Sequence, residues 1–142
     1  MKNKIAKSLL ILGALIATFS ALAHLSCIIF GPQCYKAQLA PEFIVESAIQ
    51  GTWLAPFGAI LISLLFFTCA AYALSKAGII RKIPLLNLGI YTIATIAIIR
   101  GLLTFQLKFR HPELVDLNNL SIGVVWFIAG LLFLIGGKLK AS

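Results

Sequence analysis

Four long apolar runs constrain the fold of this chain more than any other feature. The spans predicted from them cover about residues 8–30, 51–74, 83–105 and 116–137, and the fourth apolar run itself begins at Leu120. A helix needs roughly 20 apolar residues to cross the hydrocarbon of a bilayer, and each run is about that long. Spanning β-strands would alternate apolar and polar residues, whereas these runs are continuously apolar. We therefore predict an all-α integral membrane protein with a four-transmembrane-helix bundle.

The composition excludes an ordinary soluble domain. Of the 142 residues, 61% are hydrophobic and 11% are charged, whereas soluble domains carry about 25% charged residues. Four spans and short connections use nearly the whole chain, so we expect one membrane domain over residues 1–142. The basic residues that produce the net charge of +8 flank the apolar runs, where such residues set the topology. We therefore expect no nucleic-acid partner. We also expect no cofactor, because a haem site in a helix bundle needs inward histidines at matching depth and the spans contain one histidine, His24.

The basic residues alternate between the connections and predict an orientation. One set lies before the first run, between the second and third, and after the fourth: Lys2, Lys4, Lys7, Lys76, Arg81, Lys82, Lys138 and Lys140. The other two connections mix Lys36, Lys108 and Arg110 with the four acidic residues. The positive-inside rule then places both termini in the cytoplasm of a bacterial-type inner (plasma) membrane. The first and third connections face outward.

The beginning of the chain also looks like a signal peptide. Lysines precede the first apolar run, and Ala21-Leu22-Ala23 resembles a cleavage site. The run continues to Phe30, which is longer than a usual signal core, so we expect residues 1–23 to be retained as part of a span. Cleavage would leave three spans in the same orientation.

Small residues and a faint repeat bear on helix packing. Gly123, Gly130 and Gly137 recur every seven residues, and such spacing marks either helix contacts within one chain or a homodimer face. Pro41-Glu42 and Pro112-Glu113 each precede a later apolar run, and we expect a helix to begin at each pair. This likeness suggests two parallel helical-hairpin repeats, although apolar hairpins also resemble one another by chance.

The candidate binding residues gather in the predicted outer half. At ~1.5 Å per residue, His24 and Arg100 would each lie ~24 Å from the cytoplasmic end of their spans. A short interfacial helix in the first outer loop would carry Glu42 and Glu46. The candidate ligand-binding set is His24, Arg100, Glu42, Glu46, His111 and Glu113. Intramembrane ionisable residues suggest function by default.

A structural role is the more common alternative for these residues. Arg100 could extend to the interface or pair with a loop carboxylate, and His24 could be a packed, hydrogen-bonded side chain. Cys27 and Cys34 flank a Gly31-Pro32 turn, and an outer compartment would permit a disulfide between them. No catalytic residue and no metal site is predicted, because no known motif is present.

The chain resembles a family of small bacterial four-helix integral membrane proteins. The resemblance rests on Tyr72-Ala73-Leu74-Ser75-Lys76-Ala77-Gly78, Pro84-Leu85-Leu86 and Ile99-Arg100-Gly101-Leu102, with support from Ala40-Pro41-Glu42 and Ala55-Pro56. It extends over nearly the whole chain. It implies a four-helix membrane fold in which Arg100 belongs to the shared pattern, and it brings no activity to transfer.

The function expected from the sequence is non-enzymatic. The leading interpretation is binding of a lipid, a small amphiphile or a partner protein at the outer face, with membrane lipids, a homo-oligomer or a partner membrane protein as partners. One alternative is a small transporter or channel subunit acting as an oligomer. Another is a membrane enzyme acting on lipid at the outer leaflet, with His24 or His111 as the base.

Overall fold

The computed structural model describes residues 1–140 and is built from helices. The elements are α1 (Lys2–Phe30), α2 (Pro32–Ala37), α3 (Glu42–Gln50), α4 (Leu54–Ala77), α5 (Leu86–Arg110), a 3₁₀ turn (Pro112–Leu114) and α6 (Leu117–Leu139). No strand occurs in the part of the chain that is described. The predicted all-α class is therefore confirmed.

Four of these helices are long and apolar enough to cross a membrane. They are α1, α4, α5 and α6, with 29, 24, 25 and 23 residues, and at most 33% of the most apolar window of each is buried. The rest of each window would contact the solvent directly. Water is a poor solvent for so much apolar surface, so these helices are compatible with a multi-pass membrane protein.

The helix boundaries differ from the predicted spans for local reasons. α1 starts at Lys2, six residues before the apolar run, because a helix needs backbone hydrogen bonds rather than apolar side chains. The segment from Pro112 was expected to open the fourth helix, but it forms only a 3₁₀ turn, and Val115 is extended after it. Asp116 then caps α6 by accepting a hydrogen bond from the amide of Asn119 at 2.7 Å.

The two halves of the suggested repeat also differ. The first Pro-Glu pair opens α3, which runs for nine residues and ends where Gly51 adopts a left-handed φ of +68°. The second pair opens a turn of three residues. The sequence reasoning also missed α2, which follows a break at Gly31, where φ is +76°.

The described chain divides into two compact units. The first unit contains Met1–Ile16 and the chain from Cys69 onward, and the second contains Ala17–Thr68. Helices α1 and α4 each contribute residues to both units.

In the first unit, glycines allow α5 and α6 to approach closely. A Cβ atom placed on Gly130 would lie 2.8 Å from the Ile98 amide nitrogen, and one on Gly101 would lie 2.9 Å from the Gly123 carbonyl oxygen. A Cβ on Gly136 would lie 2.8 Å from Leu10 Cγ on α1. Small residues permit such backbone approach in the absence of a hydrophobic drive between helices. The glycine spacing therefore marks helix contacts inside this unit.

One end of the first unit contains the start of α1, the last turn of α4 with the α4–α5 connection, and the end of α6 through Lys140. We call it the basic end. Lys140 Nζ, just after α6, donates to Asn3 Oδ1 in α1 at 2.6 Å. Ser75 Oγ, near the end of α4, donates to the Arg81 carbonyl at 3.1 Å and accepts from the Ile83 amide at 3.0 Å. These bonds hold the start of α1, the end of α6 and the α4–α5 connection in place.

In the second unit, a small core forms around the α1–α2 corner. The residues buried together are Cys27, Tyr35, Val45, Ala55 and Ala59. The Ser47 hydroxyl of α3 accepts a hydrogen bond from the Ala55 amide at 2.9 Å, which fixes the passage from α3 into α4. Deeper in α4, Ser63 Oγ lies 2.9 Å from the Ala21 carbonyl oxygen of α1.

Candidate functional site

Arg100 is the charged side chain in the middle of a long apolar helix. It lies on α5, ~21 Å along the helix from Leu86, and its side chain is exposed. The guanidinium carbon lies 5.7 Å from the centre of the Trp126 ring of α6. Contact of this kind contributes about 0.5–2 kcal/mol, with the higher value away from water.

No carboxylate of the described first unit pairs with Arg100. Glu113 and Asp116 are the acidic side chains of that unit, and the ion pair that forms there joins Glu113 to His111. The guanidinium group has five N–H donors and cannot be neutralised in proteins. Arg100 is thus a permanent cation on an exposed apolar face of α5, in contact with the ring of Trp126.

His111 and Glu113 lie just beyond the end of α5. His111 Nδ1 and Glu113 Oε1 are 3.3 Å apart, and the two side chains are 57% and 63% exposed. Exposed pairs of this kind contribute about 0–1 kcal/mol. The structure brings these two predicted residues together as a solvent-facing pair.

Lys108 organises the same connection and was not singled out by the sequence reasoning. Its Nζ donates to the Val115 carbonyl at 2.7 Å and to the Pro112 carbonyl at 3.2 Å. Lysines in the last turn of a helix commonly bond free carbonyls. The position of Lys108 in the last turn was the available signal for this role.

In the second unit, His24 is packed against an aromatic ring. Its imidazole stacks on the Phe66 ring with centroids 5.3 Å apart and an interplanar angle of 12°. The residue is half-buried on α1.

The acidic pair of α3 is exposed. Glu42 and Glu46 face away from the buried side of the helix, which carries Val45 and Ser47. Glu46 Oε1 accepts a hydrogen bond from Gln50 Nε2 at 2.7 Å. Phe43, on the same helix, is 62% exposed, so α3 exposes apolar as well as charged side chains.

A disulfide joins Cys27 to Cys34 across the Gly31-Pro32 turn, with Cα atoms 5.1 Å apart. Gln38 adds a second link, since its Nε2 donates to the Ala23 carbonyl at 2.7 Å. Together these contacts tie α2 to the end of α1.

Tyr35 is buried beside this corner. Its side chain is 5% exposed, and its hydroxyl has no hydrogen-bond partner among the described residues. Burial raises the pKa of the Tyr35 phenol above its ordinary value of 10.0, because the charged form loses its hydration. No sequence pattern distinguishes such a tyrosine from an exposed one.

The predicted binding residues fall into separate groups. His24, Glu42 and Glu46 belong to the second unit, while Arg100, His111 and Glu113 belong to the first. A shallow recess on α5, lined by Tyr91, Thr92, Thr95 and Ile96, contains none of them. Within residues 1–140, no three His, Cys, Asp or Glu side chains are grouped to hold a metal ion.

Comparisons with known proteins add no relative. A scan against protein families, a search of curated proteins and a search of solved structures each found no match.

Proposed function

We propose that the chain is a multi-pass protein of a bacterial-type inner membrane, with α1, α4, α5 and α6 as its spans and both termini in the cytoplasm. Support comes from the basic end, because the lysines in the first two turns of α1, Lys138 and Lys140 at the end of α6, and Arg81 and Lys82 of the α4–α5 connection all belong to the first unit. The Lys140–Asn3 hydrogen bond joins the end of α6 to the start of α1, and Ser75 holds the α4–α5 connection against the end of α4. Basic residues favour the cytoplasmic side. The disulfide of the second unit is consistent with an oxidising compartment at the other end of α1.

We also propose that α3 lies in the plane of the membrane interface. Its nine residues expose both carboxylates and apolar side chains such as Phe43 and Ile49. Trp53, which follows α3, is 72% exposed. Its ring packs edge-on against the ring of Phe57, with ring centroids 5.6 Å apart. Tryptophan is enriched at membrane interfaces, where its ring is amphipathic.

We propose that the function is non-enzymatic binding of an anionic lipid or amphiphile at Arg100. The carrying observation is the exposed guanidinium over Trp126, with no carboxylate of its unit paired to it. Arg100 is ~12 Å along α5 from Lys108, where the helix becomes polar. Extension of the arginine side chain and local thinning of the bilayer can together bring a phosphate of the outer leaflet to the guanidinium.

A lipid phosphate or carboxylate suits this cation chemically. Arginine forms paired N–H···O bonds with planar carboxylates and with phosphates, and such bonds strengthen away from water. A second copy of the chain offers no such group from within a span, because none of the four acidic residues lies inside α1, α4, α5 or α6. Membrane lipid is therefore the partner that the charge favours.

Quenching of Trp126 fluorescence would test the proposal. The chain has two tryptophans, so the Trp53→Phe variant leaves Trp126 as the only one. The protein is placed in lipid nanodiscs that contain brominated phospholipid, whose bromine atoms quench a tryptophan in contact with them. We expect stronger quenching by a brominated anionic phospholipid than by a brominated zwitterionic one at equal mole fraction.

Two further variants separate Arg100 from general charge. Arg100→Gln should remove the preference for the anionic lipid. Arg110→Gln removes the same charge from an exposed site at the end of α5 and should retain it. Equal quenching by both lipids in the Trp53→Phe protein would contradict the proposal, and the exposed face of Arg100 would then be better explained by a partner helix.

A further inference from the structure

A buried lysine lies at the basic end of the first unit. Lys76, in the last turn of α4, is 8% exposed. Its Nζ donates to Asn87 Oδ1 at 2.5 Å. An ammonium group has three donors, and an amide oxygen is neutral. This hydrogen bond therefore gives the buried charge no counter-charge.

The charged neighbours of Lys76 are also positive. Lys82 and Lys140 lie close enough for their charges to oppose that of Lys76. The four acidic side chains of the protein lie on α3 and in the α5–α6 connection, outside the segments of the basic end. The carboxyl-terminal ends of α4 and α6 supply only partial negative charge, about half an elementary charge each.

The connection from α4 to α5 combines these cations with exposed apolar side chains. Ile79, Ile80 and Leu85 are 48%, 42% and 73% exposed, and Arg81 and Lys82 lie between them in the sequence. A segment that exposes both kinds of side chain suits the boundary between acyl chains and headgroups. A soluble anion would give no reason for the apolar half of this surface.

We infer that the basic end binds the phosphate group of an anionic phospholipid, with Lys76, Lys82 and Lys140 as its cations. The lipid supplies the missing negative charge, and its acyl chains cover the exposed isoleucines and Leu85. This site is distinct from Arg100, which lies ~20 Å further along α5 than Asn87. It goes beyond the proposed function, because it assigns a lipid to the other end of the same helices.

Thermal unfolding in detergent would test this inference. The full chain carrying Arg100→Gln is used, so that the site proposed at Arg100 does not contribute. A ligand that binds the folded protein raises its melting temperature. We expect an anionic phospholipid to raise it, and we expect a zwitterionic phospholipid and inorganic phosphate at the same phosphate concentration to have little effect.

The Lys82→Gln/Lys140→Gln variant removes two of the three cations of the site and leaves the buried Lys76 intact. With anionic lipid the increase in its melting temperature should fall to about half of the parental one or less. The Lys2→Gln/Lys4→Gln variant removes the same charge from exposed positions of α1 and should keep most of the lipid-dependent increase.

The outcomes that would overturn the inference are distinct. Equal loss in both double variants would show a general charge effect rather than a site at Lys76. An equal increase with inorganic phosphate would show a soluble anion site. Because Arg100 is already replaced, neither result bears on the proposal for Arg100.

Discussion

At the scale of single residues, three polar groups of this protein lie in apolar surroundings. Arg100 is a cation on an exposed apolar helix, Lys76 is a cation with little exposure, and Tyr35 is a buried hydroxyl without a partner. Each costs free energy in an apolar environment unless something compensates it. For the two cations we propose lipid phosphates as the compensation. For Tyr35 the structure offers no polar partner, so its hydroxyl should be a net cost to folding.

Replacing Tyr35 by phenylalanine should therefore stabilise the protein. Removing an unsatisfied buried hydroxyl while keeping the ring should raise the free energy of unfolding by about 1 kcal/mol. The measurement is reversible unfolding in mixed detergent micelles, followed by circular dichroism. A loss of stability would show that the hydroxyl has a partner in the folded protein.

The same variant has an expected pH dependence. Burial raises the pKa of Tyr35 in the folded protein, so the unfolded chain releases this proton first as the pH rises through about 10. The contribution of Tyr35 to stability is then lost with increasing pH, whereas phenylalanine does not titrate. The advantage of Tyr35→Phe should be larger at about pH 11 than at about pH 8. A constant difference would contradict the raised pKa.

At the scale of helices, the contact of α5 with α6 was the most accessible to sequence reasoning. A glycine every seven residues predicts a helix-packing face, either within one chain or in a homodimer, and the structure places Gly123 and Gly130 against α5. The short elements were less accessible. α2 has six residues, too few for a periodic pattern, and the 3₁₀ turn at Pro112 begins with the same Pro-Glu pair as α3.

A glycine-to-alanine substitution should distinguish a position in close helix contact from a position with room for a methyl group. At Gly130 the Cβ of alanine would lie 2.8 Å from a backbone nitrogen of α5 and 3.0 Å from the Ala94 carbonyl oxygen. The helices would have to move apart, so Gly130→Ala should lower the free energy of unfolding by about 1–3 kcal/mol.

Gly58→Ala on α4 is the matched control. Its Cβ would meet only the Ile44 side chain, at 3.4 Å, which is ordinary contact. It should be neutral or stabilise by up to about 1 kcal/mol through helix propensity. Equal effects of the two substitutions, measured in the same unfolding assay, would contradict close packing at Gly130.

At the scale of the whole molecule, the sequence predicted the class and the number of long helices because both follow from run length and composition. It could not predict which binding residues meet, since contact depends on the rotation of each helix about its axis. The Arg100–Trp126 contact joins residues 26 positions apart on two helices. Likewise, nothing in the order of residues shows that Lys76 is buried while Lys82 is exposed.

The proposed topology can be checked with cysteine labelling in intact cells. In a Cys69→Ala background, the disulfide-bonded cysteines are unreactive and one new cysteine is introduced at a time. A membrane-impermeant maleimide should label His111→Cys in intact cells. It should label Lys4→Cys only after the cells are broken. The reverse pattern would place the basic end outside and would overturn the proposed orientation.

Lys108 has a consequence for how such topologies are inferred from charge. The positive-inside rule counts each lysine near a span as evidence for the cytoplasmic side. Counted in this way, Lys108 is evidence against the proposed orientation. Its ammonium group, however, donates hydrogen bonds to the Val115 and Pro112 carbonyls in the connection that follows its own helix. A lysine engaged in this way is already solvated by the chain and has less to gain from anionic headgroups. A topology inferred from basic residues would therefore be more informative if each cation were weighted by the number of its hydrogen-bond donors that the chain leaves free.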